Sequence, residues 1–274
     1  VLDAVEALVG RQLVRLAPAG SGFDFRHDLI QQVVYADLGP DRRRVLHGRA
    51  AEALQARAEE GPSAVREAAG ELAYHWRQAE RWAPAFRYAL LAGDHAREAF
   101  APREALAHYQ RAAEVADQQP ALFERGDRAG LLERLGRAYA DRGELEAAIR
   151  QFAALRDLAR ALADRRLESR ALAALADAHY WRHDFGQAEA LAAEALSRAE
   201  ELDDRGLRAG NLVTAASVAM ARGRTEDAER HCGAVLALAG ERPPAGGDEE
   251  PVVAGARLKA LGWLGLLREF QRDH

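Results

Sequence analysis

The chain has 274 residues, of which 49% are hydrophobic and 30% charged, a composition that supports a continuous core and differs from that of disordered chains. Its formal net charge of -5 excludes both a strongly basic nucleic-acid-binding surface and an extended acidic tail. The single cysteine, Cys232, excludes a disulfide framework and a thiolate metal cluster.

The sequence also gives expectations about where the protein works. No apolar run approaches the roughly 18 residues that a membrane-spanning helix needs, and no signal peptide opens the chain. Lys259 is the only lysine among 38 basic residues, a bias that is typical of GC-rich bacterial genomes. Because the chain begins at Val1 in what reads as a helix, we expect a fragment of a longer bacterial, cytoplasmic protein.

The first part of the chain, residues 1–54, differs in pattern from the rest. Alternation of polar and apolar residues predicts two short strands, which flank a turn cluster and lie between helices. In chain order the predicted elements are a helix at 2–9, strands at 11–16 and 23–25, the turn at 17–22, and helices at 27–37 and 41–60. We interpret this order as the C-terminal part of a winged-helix domain with a linking helix. Because the first helix carries Asp3 and Glu6, we expect no direct nucleic-acid contact.

The remaining residues, 55–274, are predicted to be helical throughout. The helices are joined by a few residues at Pro or Gly breaks, which favours antiparallel neighbours. Composition makes only the stretch at 241–251 flexible. Three segments, 129–161, 164–201 and 204–240, superpose at an offset of 40 residues.

Two kinds of position repeat in these segments. Small residues recur where two helices of a pair must approach closely, and a turn residue recurs where glycine adopts a left-handed conformation without steric cost. The small positions are Gly136/Ala176/Ala216 and Ala148/Ala188/Ala228, and the turn position is Gly143/His183/Gly223. We expect larger residues such as Tyr139 and Phe152 to fill the space between successive pairs.

These positions resemble the signature of tetratricopeptide repeats, through Leu135-Gly136, Tyr139, Gly143, Ala148 and Phe152. A weaker copy precedes them at Ala92-Gly93, Ala105 and Tyr109, and Leu261-Gly262 with Trp263 begins another. The 40-residue period exceeds the family's usual period of about 34 and predicts longer helices. The resemblance implies an all-α solenoid of antiparallel helix pairs, with a concave groove lined mainly by the first helix of each pair.

A second resemblance covers residues 1–109. It rests on Phe25-Arg26-His27-Asp28-Leu29-Ile30, Tyr35, Arg42-Arg43-Arg44, Leu46-His47, Leu72-Ala73-Tyr74-His75-Trp76 and Ala85-Phe86-Arg87-Tyr88. These residues are similar to the region after the nucleotide-binding module in bacterial signal-transduction (STAND-type) ATPases, including large LuxR-type transcriptional regulators. The resemblance implies the order ATPase module, winged helix and tetratricopeptide-like sensor, with the ATPase module of the same parent chain as one partner.

The groove is the candidate site, and the family's pattern places one set of residues along the first helices. This set comprises Glu133, Arg137, Arg170, Asp177, Tyr180, Trp181, Val213, Ser217 and Met220. Large amphipathic aromatic residues such as Trp181 anchor ligands and peptides, which favours a protein partner or a small effector. Alternatively, Trp181 packs under the turn of the next repeat.

Other chemistry is weaker in this sequence. No phosphate-binding loop is present, so we expect neither an enzyme nor a resident cofactor. His179 and His183, four residues apart, are a possible metal pair, but both stand at packing or turn positions of the repeat and no metal is predicted. Arg42, Arg43 and Arg44 suit contact with phosphate or with an acidic face of the ATPase module, or form a solvated first helical turn.

Overall fold

The computed structural model describes residues 2–16, 23–58, 61–240 and 251–272. Within these residues the chain forms thirteen α-helices, one 3₁₀ turn and one pair of antiparallel strands. Two compact units divide the chain, Val1–Ala92 and Gly93–His274. The boundary that we predict after residue 54 lies inside the first unit and remains a prediction.

The first unit begins with the helix, hairpin and helix that the sequence predicts. Its elements are α1 (Leu2–Gly10), β1 (Val14–Leu16), β2 (Phe23–Phe25), α2 (Asp28–Asp37), α3 (Pro40–Ala58), α4 (Pro62–Gln78) and the first part of α5 (Trp82–Glu98). In the hairpin Val14 lies opposite Phe25 and Leu16 opposite Phe23. The predicted turn at 17–22 lies outside the described residues. The interpretation as part of a winged helix remains a prediction.

The first strand is shorter than the sequence predicts, because residues 11–13 close α1 instead of extending β1. Gln12 has a φ of 59°, and its N–H bonds to the Val9 carbonyl. The next N–H, that of Leu13, bonds to the Leu8 carbonyl 3.0 Å away. This is a Schellman-type helix end, which uses the backbone groups that a strand ladder would need.

The second unit is a run of helices of nearly equal length. After the end of α5 come α6 (Pro102–Gln118), the 3₁₀ turn Pro120–Leu122, α7 (Arg125–Asp141), α8 (Leu145–Ala161), α9 (Arg165–Trp181), α10 (Phe185–Glu201), α11 (Arg205–Ala221), α12 (Thr225–Gly240) and α13 (Pro251–Arg272). Three antiparallel pairs, α7/α8, α9/α10 and α11/α12, overlap the three predicted repeats. The predicted flexible stretch lies outside the described residues, apart from its last residue, Pro251.

The 40-residue period arises from two similar halves. Helices α7 to α11 each have 17 residues, and three-residue turns join them to one another and join α11 to α12. One residue in each turn has a left-handed conformation, and these residues recur every 20 positions: Gly143, Ala163, His183, Asp203 and Gly223. Only two of the five are glycines. The left-handed turn that the sequence predicts at Gly143, His183 and Gly223 is therefore confirmed, and the intervening helix ends share it.

Two of the helix pairs, α7/α8 and α5/α6, are closed by contact between a glycine and an aromatic ring. A Cβ atom on Gly136 would lie only 2.6 Å from Cδ1 of Phe152, so this residue of α7 must be glycine for the ring of α8 to fit. Phe152 is 3% exposed and also packs against Leu175 and Ala178 of α9. The ring thus fills space both within its own pair and against the next pair. Gly93 and Tyr109 make the same kind of contact upstream, because a Cβ atom on Gly93 would lie 2.8 Å from Cζ of the Tyr109 ring.

Helix α13 continues the solenoid as a further first helix. Among the residues of α13 up to 267, Val253, Ala256, Ala260 and Leu267 are buried, and the first three pack with the core of α11 and α12. Leu261 and Gly262, the pair that the sequence aligns with the small positions of a new repeat, are both exposed. The residue that meets α11 and α12 is therefore Ala256, 40 positions after Ala216.

Candidate functional site

One wide groove dominates the second unit and encloses a volume of about 1460 Å³. Most of its wall comes from the first helices α7, α9, α11 and α13, with Arg97 of α5 and Phe152 of α8 at the margin. Small residues make much of the floor, because they leave room where a larger side chain would fill the groove. They are Ala173, Ala174, Gly206, Gly210, Gly255, Ala256 and Gly262.

Most of the residues that the sequence predicts for the groove do line it. They are Arg137, Arg170, Asp177, Tyr180, Trp181, Val213 and Ser217. Glu133 and Met220 are not part of the lining. Whether any of these residues contacts a partner remains a prediction.

Glu133 lies behind two arginines of the groove wall. Its side chain is largely covered, and one carboxylate oxygen accepts a hydrogen bond from Arg137 at 2.6 Å. The other oxygen pairs with Arg170 of the next first helix. Glu133 therefore holds two guanidinium groups at the wall instead of facing the groove itself.

Met220 is covered by α13. It packs with Leu264 against the buried cluster of Ala219, Ala228 and Leu267. Tyr180, its counterpart one repeat earlier, stays on the groove surface. The repeat position is the same in both helices, but the neighbouring helix determines whether it reaches the groove.

Trp181 is the most exposed of the large hydrophobic residues that line the groove. Its side chain is 66% exposed, which rules out the alternative that it packs under the turn of the next repeat. The Tyr180 ring holds it edge-to-face at a centroid distance of 5.4 Å, and the Phe185 ring supports Tyr180 at 5.9 Å. This arrangement presents an aromatic surface to the groove at little cost in side-chain entropy.

Four of the charged residues that line the groove form two ion pairs with one another. Arg166 forms an ion pair with Asp204 at 2.8 Å, and Arg97 pairs with Asp141 at 3.6 Å. Asp177 is different, because its carboxylate accepts a hydrogen bond from the Thr214 hydroxyl at 3.0 Å. Although Asp177 is open to the solvent of the groove, the surrounding walls enclose it, and this partial desolvation raises its pKa. The Thr214 hydrogen bond and the positive charge of Lys259 oppose that rise.

Sequence reasoning missed the part of the wall that α13 supplies. Val252, Lys259, Trp263 and Leu266 line the groove from this helix. The sequence aligned α13 through Leu261 and Gly262 instead of through Ala256, which continues the 40-residue period, so superposition of the repeats did not reveal them. The sequence signal for this wall is that α13 carries more apolar residues than its buried face needs, such as Val252, which is 60% exposed.

The two histidines of the possible metal pair do not come together. His179 Nδ1 lies 3.2 Å from Asp184 Oδ2, and Asp184 caps α10 through the Gln187 N–H. His183 occupies the left-handed turn position with a φ of 63° and packs edge-on against Phe185. Across the described chain, no three His, Cys, Asp or Glu side chains are placed to hold a metal ion.

Two of the three adjacent arginines, Arg43 and Arg44, contact other residues of the first unit. Arg43 donates hydrogen bonds to the Tyr35 and Ala36 carbonyls at 2.9 and 2.6 Å, and its guanidinium lies over the Tyr35 ring. It thereby satisfies the carbonyl end of α2. Arg44 pairs with Glu80 at 3.3 Å. Arg43 is thus a helix cap, a role that the sequence did not predict.

A histidine pair lies in the first unit. His47 Nδ1 and His75 Nδ1 are 2.8 Å apart, and the Tyr35 hydroxyl lies 2.9 Å from His47 Nε2. One assignment of protons satisfies every contact: Tyr35 donates to His47, His47 donates to His75, and Nε2–H of His75 faces Glu71 at 4.0 Å. Burial lowers the pKa of both histidines. The chain of bonds joins α2, α3 and α4.

A smaller cavity of about 290 Å³ lies beside α10 and α12. Its arginines already have acidic partners: Arg224 pairs with Glu189, and Arg230 pairs with Asp227. The wide groove, with its open aromatic surface, is therefore the stronger candidate for a binding site.

Comparison with known proteins shows which architecture the second unit shares with solved structures. No family model matches the chain, and no curated protein matches its sequence. A STAND protein with a tetratricopeptide repeat sensor from Pyrococcus horikoshii matches with a TM-score of 0.59 and 14% identity, over 87% of this chain and 36% of that one. The second unit is a tetratricopeptide-like solenoid.

Two further solved structures share this solenoid. A Rap protein complexed with competence and sporulation factor has a TM-score of 0.59 and 13% identity, over 90% of this chain and 66% of that one. BtubC (BKLC) from P. vanneervenii has a TM-score of 0.52 and 15% identity, over 86% and 92%. At sequence identities this low, the similarity shows a shared fold and nothing about a shared function. In the described part of the chain, every helix is too short or too polar to cross a membrane.

Proposed function

We propose that the second unit is a protein-interaction module, and that its groove binds a segment of a partner protein without catalysing a reaction. The observation that carries this proposal is the exposed Trp181 at the groove wall, 66% open to solvent. Interfaces obtain most of their binding energy from a few aromatic and arginine residues. Trp181, Tyr180, Arg137 and Arg170 supply both kinds on one surface.

The size of the groove favours a protein segment over a small effector. Its volume of about 1460 Å³ exceeds the roughly 300–1,000 Å³ of pockets that enclose small molecules. A small molecule would therefore leave much of the wall solvated, whereas an extended or helical peptide would cover it. A small effector that occupies one part of the groove remains the alternative ligand.

We further propose that the chain is the regulatory sensor segment of a signal-transduction ATPase or transcriptional regulator. Two observations support this role: the resemblance of residues 1–109 to the region after the ATPase module, and the fold likeness to the STAND protein with a tetratricopeptide sensor. In this proposal, partner binding in the groove biases the ATPase between two states. Such coupling requires the partner to bind one state more tightly than the other.

The test of binding uses Trp181→Ala with a matched control. Phe100→Ala removes another exposed aromatic side chain, 94% open to solvent, outside the groove lining. Proteins captured from lysate by the wild-type chain should be lost with Trp181→Ala and retained with Phe100→Ala. Equal capture by all three proteins would contradict binding in the groove.

A plain scaffold, with no regulatory role, is the competing function. The two are separated in the parent protein, by measuring ATPase activity with and without the captured partner. A response that Trp181→Ala abolishes supports the sensor. Capture of a partner without any change in ATPase activity supports the scaffold. Thermal-shift screens with sugars and nucleotides test the small-effector alternative, which predicts stabilisation.

A further inference from the structure

The groove contains one carboxylate whose charge is left without a close counter-ion. Asp141 and Asp204 each pair with an arginine, and Glu133 pairs with two. Among the described residues, by contrast, no guanidinium or ammonium group lies within 4 Å of the Asp177 carboxylate. A carboxylate accepts about four hydrogen bonds, and Thr214 supplies one. Asp177 therefore keeps unused acceptor capacity that faces the groove.

An aromatic surface stands next to this carboxylate. Trp181 follows Asp177 by four residues in α9, so the two side chains share one face of the helix, and both line the groove. The edge-to-face contact with Tyr180 fixes the indole while leaving most of it exposed. A carboxylate beside an open indole matches a cation, which gains an ion pair from the first and a cation–π contact from the second.

Lys259 is a positive charge of the same groove that acts on Asp177 from α13. Its ammonium group on α13 is near enough to lower the pKa of Asp177, but it forms no ion pair with that residue within 4 Å. The lysine therefore screens Asp177 without satisfying its hydrogen-bonding capacity. An incoming cation would be attracted by Asp177 and repelled by Lys259.

We infer that Asp177, Trp181 and Thr214 form a subsite for a lysine or arginine side chain of the partner segment. This inference rests on the proposed function, since it names the chemistry of the segment that the groove holds. The subsite predicts effects of opposite sign: loss of the Asp177 charge weakens binding, and loss of the Lys259 charge strengthens it. A purely structural role for the two residues gives no such opposition.

The experiment selects phage-displayed random dodecapeptides on the full 274-residue chain and measures the selected peptides by fluorescence anisotropy. Selected peptides should share a lysine or arginine. Asp177→Asn, which keeps an acceptor for Thr214, should weaken binding at least about tenfold, in line with hydrogen bonds to charged groups. Lys259→Gln should tighten binding roughly twofold to fivefold, the range for a solvent-accessible charge pair.

The control is Asp157→Asn, which removes the charge of an exposed carboxylate of α8 outside the groove lining and should leave affinity unchanged. Replacing the basic residue of the peptide by glutamine should weaken binding to the wild type but not to Asp177→Asn. Selected peptides without a basic residue, or equal affinity for the wild type and Asp177→Asn, would overturn the subsite alone. Failure to select any peptide would overturn the proposed function as well.

Discussion

Replacing Gly136 by alanine tests the contact that sets the distance between the helices of a pair. The added Cβ would lie 2.6 Å from Cδ1 of Phe152, well inside van der Waals contact, so the ring or the helix must move. The ring cannot move freely, because it is 3% exposed and packs against Leu175 and Ala178. Overpacking of this kind costs about 1–3 kcal/mol.

Alanine also has a favourable effect in any helix, and this effect must be subtracted. It stabilises a helix interior by about 1 kcal/mol relative to glycine. The net expectation for Gly136→Ala is therefore a loss of up to about 2 kcal/mol in the free energy of unfolding. Gly233→Ala in α12 is the matched control, since no atom lies within 4 Å of its added Cβ. It should gain about 1 kcal/mol.

Urea unfolding followed by circular dichroism measures both changes. The two variants should move the transition midpoint in opposite directions, and Phe152→Leu should reduce the penalty of Gly136→Ala because a smaller side chain leaves room for the methyl group. If Gly136→Ala stabilises the protein as much as Gly233→Ala does, the contact between Gly136 and Phe152 does not limit the approach of the helices.

Two further predictions concern the turns and the histidine pair. His183→Gly should raise the free energy of unfolding by up to about 1 kcal/mol, because His183 holds a left-handed φ of 63° that glycine adopts without strain. Gly143→Ala should lower the free energy of unfolding for the same reason. If the melting temperatures of both variants moved in the same direction, this prediction would be contradicted. Burial lowers the pKa of His47, with a further contribution from the charge of His75, and burial also lowers the pKa of His75. The two histidines therefore stabilise the folded state fully above the ordinary histidine pKa of 6.5, and this stabilisation is lost as the pH falls below 6.5. Unfolding free energies between pH 7.5 and 5 should therefore fall less steeply in His75→Gln than in the wild type, with exposed His27→Gln as the control, and identical slopes in all three proteins would refute the role of the pair.

The sequence predicted the fold well because its signal is periodic. Gly136, Ala176 and Ala216 repeat at 40 residues, and the helix pairs follow them. The half-period of 20 residues escaped notice because Ala163 and Asp203 adopt the left-handed turn without being glycines. No residue type marks such a turn when hydrogen bonds and packing on both sides impose it.

The candidate site was predicted less completely, because the lining depends on contacts between repeats. Glu133 and Met220 stand at repeat positions that face the groove elsewhere in the solenoid. Two arginines cover Glu133, and α13 covers Met220. Lys259 and Trp263 line the groove from α13, which the sequence aligned through Leu261 and Gly262 instead of through Ala256. A pattern within one repeat cannot indicate which neighbour will cover it.

The repeats themselves separate the positions that build the fold from those that distinguish the groove. At one position where the helices of a pair meet, every copy is small: Ala148, Ala188 and Ala228 are all fully buried. One position faces the groove in each of three successive first helices, and there the copies differ completely: Arg137, Asp177 and Ser217. Packing imposes the first pattern, whereas nothing in the packing requires a cation, an anion and a hydroxyl in that order. These positions are therefore free to carry residues that match a ligand, as the proposed binding of a partner segment in the groove requires.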